Sequence, residues 1–184
     1  MKYIKFIFNF IKKRIYVNET VLMFGLKKLH TVDSKAIIKS ANKDNIKDLL
    51  YFHDIQYIKK FEKFLELGDR GYLGYFNDKC VHRSWVKSNS QVVYPHWSFP
   101  YNLNENEIYI HHSETSEVGR GQNIYPHVLT IIVEENVDKN ILISTNVNNI
   151  SSIKGIEKVG FEVVYSIEIF IILGIKLIKV NKND

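Results

Sequence analysis

The sequence predicts an α+β protein with a central mixed, mostly antiparallel sheet of about seven strands flanked by helices. Three observations favour this fold class. Apolar residues recur at three- and four-residue steps from about 43 to 67, as on one face of a long helix or a helix pair. Runs rich in β-branched and aromatic residues, separated by turn residues, indicate a strand meander between 71 and 98. From 107 onward, strand-like and helix-like patterns alternate.

The elements of the first half follow in order. A first strand is predicted over 19–26, and the helical stretch ends at Gly68, a typical helix stop. Three strands come next, over 71–76, 79–86 and 91–98. Asn77-Asp78 is a hairpin-turn signal between the first two, and Asn89 marks the second turn. A loop over 100–106 follows.

The second half begins with a central strand over 107–115. A helix over 126–135 follows, and its apolar residues share one side: Val128, Leu129, Ile132 and Val133. The remaining elements are a strand, a short helix and two final strands with a bend near Gly174, over 140–147, 149–159 and 161–180.

The chain of 184 residues is predicted to form one domain, residues 19–184, after a basic amphipathic segment, residues 1–18. Its net charge of +5 has a local origin, because five cations precede the first acid, Glu19: Lys2, Lys5, Lys12, Lys13 and Arg14. The remainder is close to neutral and carries no zinc-finger or other nucleic-acid motif. We therefore expect no nucleic-acid partner.

The first fourteen residues combine a Lys/Asn stripe with a broad Ile/Phe face at helical spacing. One interpretation is an interfacial helix on an anionic membrane, which would make this a peripheral membrane interaction protein. The other is a terminal helix packed on the domain or in a homodimer. The segment is too short and too interrupted to span a membrane, and no small-residue cleavage site follows it.

The single cysteine excludes an internal disulfide framework and indicates a reducing, cytoplasmic compartment. Cys80 lies in a strand-like run and is expected to be a small buried hydrophobic residue rather than a nucleophile. The histidines and acids show no spacing typical of metal ligands, so no metal site is predicted.

The most informative stretch is the turn 120–125, Arg-Gly-Gln-Asn-Ile-Tyr, between the strand 107–115 and the following helix. Backbone amides at a helix start are free to bind an anion, and Pro126, which has no amide, suits a first helical turn. A strand, a basic glycine-containing turn and a helix together predict a cradle for a phosphate or pyrophosphate.

Read in register, this turn resembles the Gln/Arg-x-x-Gly-x-Gly/Ala loop of the GNAT N-acetyltransferase superfamily. Residues 149–161, Asn-Ile-Ser-Ser-Ile-Lys-Gly-Ile-Glu-Lys-Val-Gly-Phe, are similar to that family's Asn-x-x-Ala/Ser…Tyr-x-Lys-x-Gly-Phe segment, without a gap. The resemblance covers about residues 107–165, and the N-terminal half fits by its order of elements. It implies the GNAT fold and an acetyl-CoA-dependent acyltransferase, which acts on an amine by direct attack through a tetrahedral intermediate.

The resemblance also implies which residues would contact acetyl-CoA or another acyl-CoA, around the pyrophosphate and along the pantetheine arm: Ser113, Thr115, Arg120, Gly121, Gln122, Asn123, Ile124, Tyr125, Asn149 and Ser152. Asn123 and Tyr125 stand where the family usually has glycine or alanine. Asparagine tolerates left-handed backbone angles, whereas the Tyr125 ring has to point away from the phosphates. Asn149 also fits a simpler role as a helix N-cap.

The general base in this family often lies on the central strand. Under strict alternation His111 and Tyr109 share the side of Ser113 and Thr115, so His111 is the favoured base. Glu114 and His112 are held in reserve, because a bulge would exchange the two sides. For each of them a purely structural role is an equal alternative.

The family's usual general acid is missing, because Ile156 stands in place of its tyrosine. Tyr125, Tyr165 or solvent would then have to protonate the leaving thiolate. Alternatively, the protein binds acyl-CoA without catalysis, as a sensor or partner module.

Three aromatic or polar residues of the meander are predicted to contact the acceptor: His82, His96 and Trp97. Burial in the core is the alternative for Trp97. From the resemblance, we expect the acceptor to be a small-molecule amine, and an amino sugar in surface glycan synthesis is one candidate.

Overall fold

The computed structural model describes residues 15–88 and 91–183. Within these ranges a large sheet carries helices on both faces, and a small hairpin sheet packs against one of these two faces. The α+β class is therefore confirmed. The predicted amphipathic helix of residues 1–14 and the turn at Asn89 lie outside the described residues.

The described residues form ten strands, of which eight build the central sheet: β1 (Tyr16–Leu26), β2 (Ile37–Ser40), β3 (Arg70–Phe76), β4 (Lys79–Lys87), β7 (Glu107–Thr115), β8 (Asn140–Asn146), β9 (Phe161–Ile172) and β10 (Ile175–Lys182). The other two pair as a separate hairpin: β5 (Val92–His96) and β6 (Phe99–Asn102). The order across the sheet is β10-β9-β1-β8-β7-β4-β3-β2. Neighbours are antiparallel except β7 and β8, which run parallel.

Several strand predictions need correction. β2 was missed, because four residues are too few to show a clear period of two. The predicted strand 91–98 ends at His96, and the predicted loop 100–106 contains part of β6. β1 begins at Tyr16, inside the predicted N-terminal segment, and pairs along its whole length with β9. The hairpin turn at Asn77-Asp78 is confirmed, because both residues adopt the positive φ of a two-residue primed turn.

Three α-helices are described: α1 (Ile55–Glu66), α2 (Ile124–Glu134) and α3 (Ile150–Lys158). The helix α1 begins at Asp54, whose Oδ1 accepts hydrogen bonds from the amides of Gln56 (2.8 Å) and Tyr57 (3.2 Å). A short 3-10 helix, Ile46–Tyr51, precedes it, so the helix-pair interpretation of 43–67 is confirmed. Among the described helices, none has the length and apolar character needed to cross a membrane.

The two faces of the sheet carry different layers. Ile108 and Ile110 of β7 pack with α2 and α3, whereas Tyr109 packs with the β5–β6 hairpin. Trp85 of β4 packs under α1 with Phe61, their ring centroids 5.6 Å apart. Since successive side chains of a strand point to opposite faces, α2 and α3 cover one face, and α1 and the hairpin cover the other. Cys80 is buried in the α1 cluster, as expected.

The parallel strands β7 and β8 separate along their length. They pair only from Glu107 with Asn140 to Ile110 with Ile143. Beyond that point β7 stays with β4, and β8 stays with β1. The carboxyl ends of the two parallel strands therefore diverge, which opens a site where both strands lead into helices.

Candidate active site

A cavity of about 710 Å³ lies beside the end of β7 and the starts of α2 and α3. The residues that line it come from these three elements and their connections: Ser113, Glu114, Thr115, Gly119, Arg120, Gly121, Asn123, Ile124, Tyr125, Pro126, Asn149, Ser151, Ser152, Lys154, Gly155 and Lys158. The volume is in the range of small-ligand sites. The two sequence motifs thus meet at one cavity.

The turn before α2 has the backbone of an anion cradle. Gly121 and Asn123 both adopt left-handed angles, with φ of +75° and +57°. The first bond within α2 runs from the His127 amide to the Asn123 carbonyl, so the amides of Ile124 and Tyr125 have no partner one turn back in the helix. With the helix dipole, these amides favour a bound anion.

Three basic residues and one acidic residue line the cavity. Arg120 belongs to the turn, while Lys154 and Lys158 lie one turn apart on α3. Lys158 Nζ also donates to Asn123 Oδ1 at 2.9 Å, which links α3 to the turn. Glu114 belongs to the lining as well, and its carboxylate pairs with Arg83. The sequence analysis did not single out the lysines as site residues, although their four-residue spacing after Asn149 could have indicated one basic helix face.

Asn149 serves as both cap and cavity wall. Its Oδ1 accepts hydrogen bonds from the Ser152 amide at 3.3 Å and from Ser151 Oγ at 3.1 Å. It therefore caps α3, as the simpler interpretation held. The cap residue and Ser152 also line the cavity.

The residues present suit a nucleotide-type acyl donor. Nine of the ten residues that the resemblance implied for coenzyme A line the cavity, Gln122 being the exception. Free helix amides and three cations match a pyrophosphate. Contact with coenzyme A stays a prediction.

A bulge in β7 decides which side chains reach the cavity. Trp85 of β4 pairs with His111. Arg83 lies two residues before Trp85 in β4, but it pairs with Glu114, which lies three residues after His111 in β7. The extra residue of β7 belongs to a bulge at His112, whose φ is +50°.

The bulge exchanges the two sides of the strand. The expectation that His111 and Tyr109 share the side of Ser113 and Thr115 is therefore wrong, and the alternative that a bulge reverses it holds. Ser113 and Thr115 line the cavity, whereas Tyr109 is buried in the cluster under the hairpin. Burial raises the pKa of Tyr109 to about 12.

His111 takes part in a polar chain on the α1 side of the sheet. Lys60 Nζ lies 2.7 Å from His112 Nε2, the Nδ1 atoms of the two histidines are 2.8 Å apart, and His111 Nε2 lies 3.2 Å from Asp69 Oδ2. Burial lowers the pKa of His111, and that of His112 to about 3, so both rings are neutral near pH 7. Phe64 of α1 packs against both rings. This chain faces α1 rather than the cavity.

Glu114 lines the cavity and is held by a buried arginine. Arg83 Nη2 donates to Glu114 Oε2 at 2.6 Å, and Arg83 Nε donates to His53 Nε2 at 2.9 Å. A further hydrogen bond runs from Arg83 Nη1 to the carbonyl of His112. Burial lowers the pKa of Arg83 to about 10, which still leaves it charged at neutral pH. The Glu114 side chain is 48% exposed, so its carboxylate is fixed but accessible.

A buried hydrogen-bond chain lies beneath the cavity. His82 Nδ1 is 2.7 Å from Thr115 Oγ1, and His82 Nε2 is 2.8 Å from Ser84 Oγ. Ser84 Oγ donates to Ser113 Oγ at 2.8 Å. The chain ends at Ser113, which lines the cavity.

The predicted acceptor residues do not lie at the cavity mouth. His82 is fully buried in the chain just described, so direct contact with an acceptor is excluded. His96 and Trp97 belong to the β5–β6 hairpin on the other face of the sheet, where Lys176 lies over the Trp97 ring. None of the three residues lines this cavity, and contact of His96 and Trp97 with an acceptor stays a prediction. Trp97 is 45% exposed, so the core alternative is wrong.

His82 predicts an acid-sensitive stability. Burial, with a contribution from Arg83, lowers its pKa to about 3, below the unfolded value near 6.5. The unfolded chain therefore binds the proton first, and stability falls as pH drops below about 6.5. We expect His82 alone to account for about 2 kcal/mol of lost stability between pH 7.5 and 5.0. Urea unfolding at both pH values should show a smaller loss for His82→Asn than for the wild type, and equal losses would contradict the assignment.

Among residues 15–88 and 91–183, no group of three or more histidine, cysteine or acidic side chains is arranged to hold a metal ion. No protein-family model matches the chain, and no curated protein matches it significantly.

Several solved structures are similar to this fold. A GNAT-family acetyltransferase from Colwellia psychrerythraea has a TM-score of 0.63 at 15% identity, over 91% of this chain and 57% of that protein. An acetyltransferase assigned to the GNAT family from Novosphingobium aromaticivorans has a TM-score of 0.54 at 10% identity, over 92% of this chain and 68% of that one. The glucosamine N-acetyltransferase region of a fungal multi-domain β-N-acetylglucosaminidase has a TM-score of 0.59 at 10% identity, over 90% of this chain and 22% of that protein.

At such identities a likeness establishes the fold, and the chain spans just over half the length of the Colwellia protein. The mixed sheet contains one parallel pair of strands that separate, and it is repeatedly similar to GNAT structures. Both observations indicate the same fold. The chain has the fold of the GNAT superfamily.

Proposed function

We propose that this protein is an N-acyltransferase that uses acetyl-CoA, or another acyl-CoA, to acylate an amine of a small molecule. One observation carries the proposal. In a GNAT fold, the cavity at the divergent ends of β7 and β8 is lined by the anion-binding turn and by both predicted motifs. The single free cysteine favours a cytoplasmic setting, where a thioester donor would be present.

The residues have distinct tasks in this proposal. The amides of Ile124 and Tyr125, with Arg120 and the two α3 lysines, would hold the pyrophosphate and nearby phosphate of the donor. A bound acyl-CoA supplies an activated thioester carbonyl. Glu114, fixed by Arg83 beside the cavity, would accept the proton that the amine loses, directly or through water.

The acceptor is proposed to be an amino sugar. Support comes from the fungal neighbour, a glucosamine N-acetyltransferase region, and from Glu114, which belongs to the cavity lining and has an accessible carboxylate. A carboxylate suits an acceptor that arrives as an ammonium ion. Screening amino sugars against other amines, with detection of released thiol, tests this choice.

Binding of acetyl-CoA is the primary test. Isothermal titration should detect binding at micromolar to millimolar donor, and absence of binding at millimolar concentration would overturn the proposed function. Arg120→Ala combined with Lys154→Ala is expected to weaken binding about tenfold, because two phosphate-facing charges are lost. Lys27→Ala is the matched control, since Lys27 is exposed and paired with Glu162.

One observation favours a second candidate function, that of a non-catalytic acyl-CoA sensor. Ile156, at the position of the family's usual acid, is fully buried in the core around α2 and α3. A hydrocarbon there cannot donate a proton. Intact donor affinity without turnover across a broad amine panel would support this candidate over the enzyme.

A further inference from the structure

The turn between β9 and β10 carries large apolar side chains that face solvent. Five of them form one surface, called the apolar tip from here on: Tyr16, Ile172, Leu173, Ile175 and Leu177. Tyr16 pairs with Ile172 across β1 and β9, and Ile172 pairs with Ile175 across the turn. Their exposed fractions run from 41% for Ile172 to 77% for Leu173. A contiguous apolar surface of this kind indicates a binding site for something that removes it from water.

Leu173 occupies the turn against two local preferences. Leu173 and Gly174 have φ of +48° and +85°, the angles of a two-residue primed turn, where asparagine or aspartate normally precedes glycine. The turn between β3 and β4 in the same sheet does have such residues, Asn77-Asp78. A leucine at this position is both strained and exposed to water. Strain at a surface position with no packing reason motivates a functional role.

The charges beside the apolar tip are basic. Lys176 is the only charged residue from 169 to 178. The sequence Lys-Lys-Arg at positions 12–14 comes immediately before Ile15, whose carbonyl accepts a hydrogen bond from the Leu173 amide at 3.0 Å. The basic sequence therefore joins the chain directly beside the turn. An apolar surface bordered by lysine and arginine is complementary to an anionic lipid surface.

Aromatic rings lie at the apolar tip on both faces of the sheet. On the hairpin face, Lys176 Nζ lies 5.3 Å from the centroid of the Trp97 ring. On the opposite face, the Tyr16 ring packs edge-on against Phe170, with centroids 5.6 Å apart. Tryptophan and tyrosine favour the boundary between water and lipid, because each combines an apolar ring with one polar group. These rings therefore favour a lipid surface as the binding partner.

The apolar tip projects from the edge of the sheet at which the cavity lies. β1 is antiparallel to β8 and pairs with it as far as Val21 with Asn146. Tyr16 lies five residues beyond Val21, which is about 16 Å at the spacing of a strand. The cavity lies beside the end of β7, which runs parallel to β8. A membrane bound at the tip would therefore face the edge that carries the cavity.

We propose that the apolar tip and the basic residues beside it bind the surface of an anionic lipid bilayer. The side chains of Ile172, Leu173 and Ile175 enter the lipid interface, while Lys176 and residues 12–14 lie at the headgroups. Trp97 borders this contact, which assigns it to lipid instead of the acceptor. The attachment is peripheral, because only a turn and its flanking residues meet the lipid. The proposal does not depend on the proposed function.

Co-sedimentation of the full chain with lipid vesicles is the first test. We expect the wild type to pellet with vesicles of phosphatidylcholine and phosphatidylserine, to pellet less with phosphatidylcholine alone, and to be released by salt. Leu173→Asn combined with Ile175→Thr should weaken partition onto the anionic vesicles about tenfold, because two large apolar side chains are lost. Asparagine suits the positive φ and threonine suits a strand, so this variant is expected to fold.

Val137→Asn is the matched control for the double variant. Val137 is exposed and precedes β8, at the opposite edge of the sheet from the apolar tip. It should bind the anionic vesicles as the wild type does. The double variant should also keep its affinity for acetyl-CoA, because neither Leu173 nor Ile175 lines the cavity.

Tryptophan fluorescence locates the contact. The sequence has two tryptophans, and Trp85 is buried in the α1 cluster, so a change caused by vesicles reports Trp97. We expect a blue shift with anionic vesicles and quenching by brominated phospholipids in the same vesicles.

Failure of the wild type to pellet with anionic vesicles would overturn the proposal, and so would equal partition of the wild type and the double variant. A second copy of the chain is the competing occupant of the apolar tip. Sedimentation velocity without lipid tests it, and a wild-type dimer that the double variant no longer forms would assign the tip to that interface and overturn the proposal.

Discussion

Replacing Glu114 with glutamine is expected to lower kcat/KM for the amine by between about 10² and 10⁴, the usual range for loss of a general base. The substitution keeps the shape of the side chain and an oxygen that can accept from Arg83, which now lies 2.6 Å from the carboxylate. What it removes is the ability to take up a proton at the cavity wall. The Kd for acetyl-CoA should change little, because the cavity-lining cations proposed to hold its phosphates are untouched.

Steady-state kinetics with a saturating donor and a range of amine concentrations measures this effect. Glu162→Gln is the matched control, because Glu162 is exposed and pairs with Lys27. Glu114→Asp should recover part of the activity, since it restores a carboxylate. If Glu114→Gln stays within threefold of wild type while His111→Gln carries the loss, His111 is the base and the assignment to Glu114 is wrong.

Glu114 belongs to the cavity lining and His111 does not, and the sequence alone did not predict this difference. The bounds of β7 match the predicted strand 107–115, and nearly every residue implied for the donor lines one cavity. The bulge at His112 could not be predicted with certainty, because a histidine with a positive φ leaves no glycine or asparagine in the sequence to mark it. One irregular residue then decides which side chains reach the cavity.

Other limits have different physical causes. The hairpin β5–β6 turns at Trp97-Ser98, a pair with no glycine, so the sequence indicated one strand where there are two. The ring of Tyr125 packs against Gly155, thirty positions away, and local sequence patterns do not report such contacts. The order of elements was predictable, whereas the insertion of β1 between β8 and β9 is a tertiary choice.

The second large effect concerns the glycine of the downstream motif. Gly160 follows α3 with φ of +94°, a conformation that L-residues rarely adopt. Its carbonyl accepts from the amides of Lys27 (3.1 Å) and Lys28 (3.3 Å), so the chain leaving β1 crosses directly over it. A Cβ at this position would lie 1.7 Å from the carbonyl oxygen of Lys28. That is far inside van der Waals contact, and the obstacle is backbone.

Gly160→Ala is therefore expected to cost about 3–5 kcal/mol of unfolding free energy, from strain and the clash together. Gly68→Ala separates the two causes. Gly68 has a similar φ of +83°, yet a Cβ there would meet no atom within 4 Å, so only strain of about 1 kcal/mol is expected. Urea unfolding of both variants measures the difference. Equal costs would show that the backbone at Lys28 can move to accommodate a methyl group. A large difference would mean that the motif's glycine is required because β1 and α3 meet there, independently of any ligand.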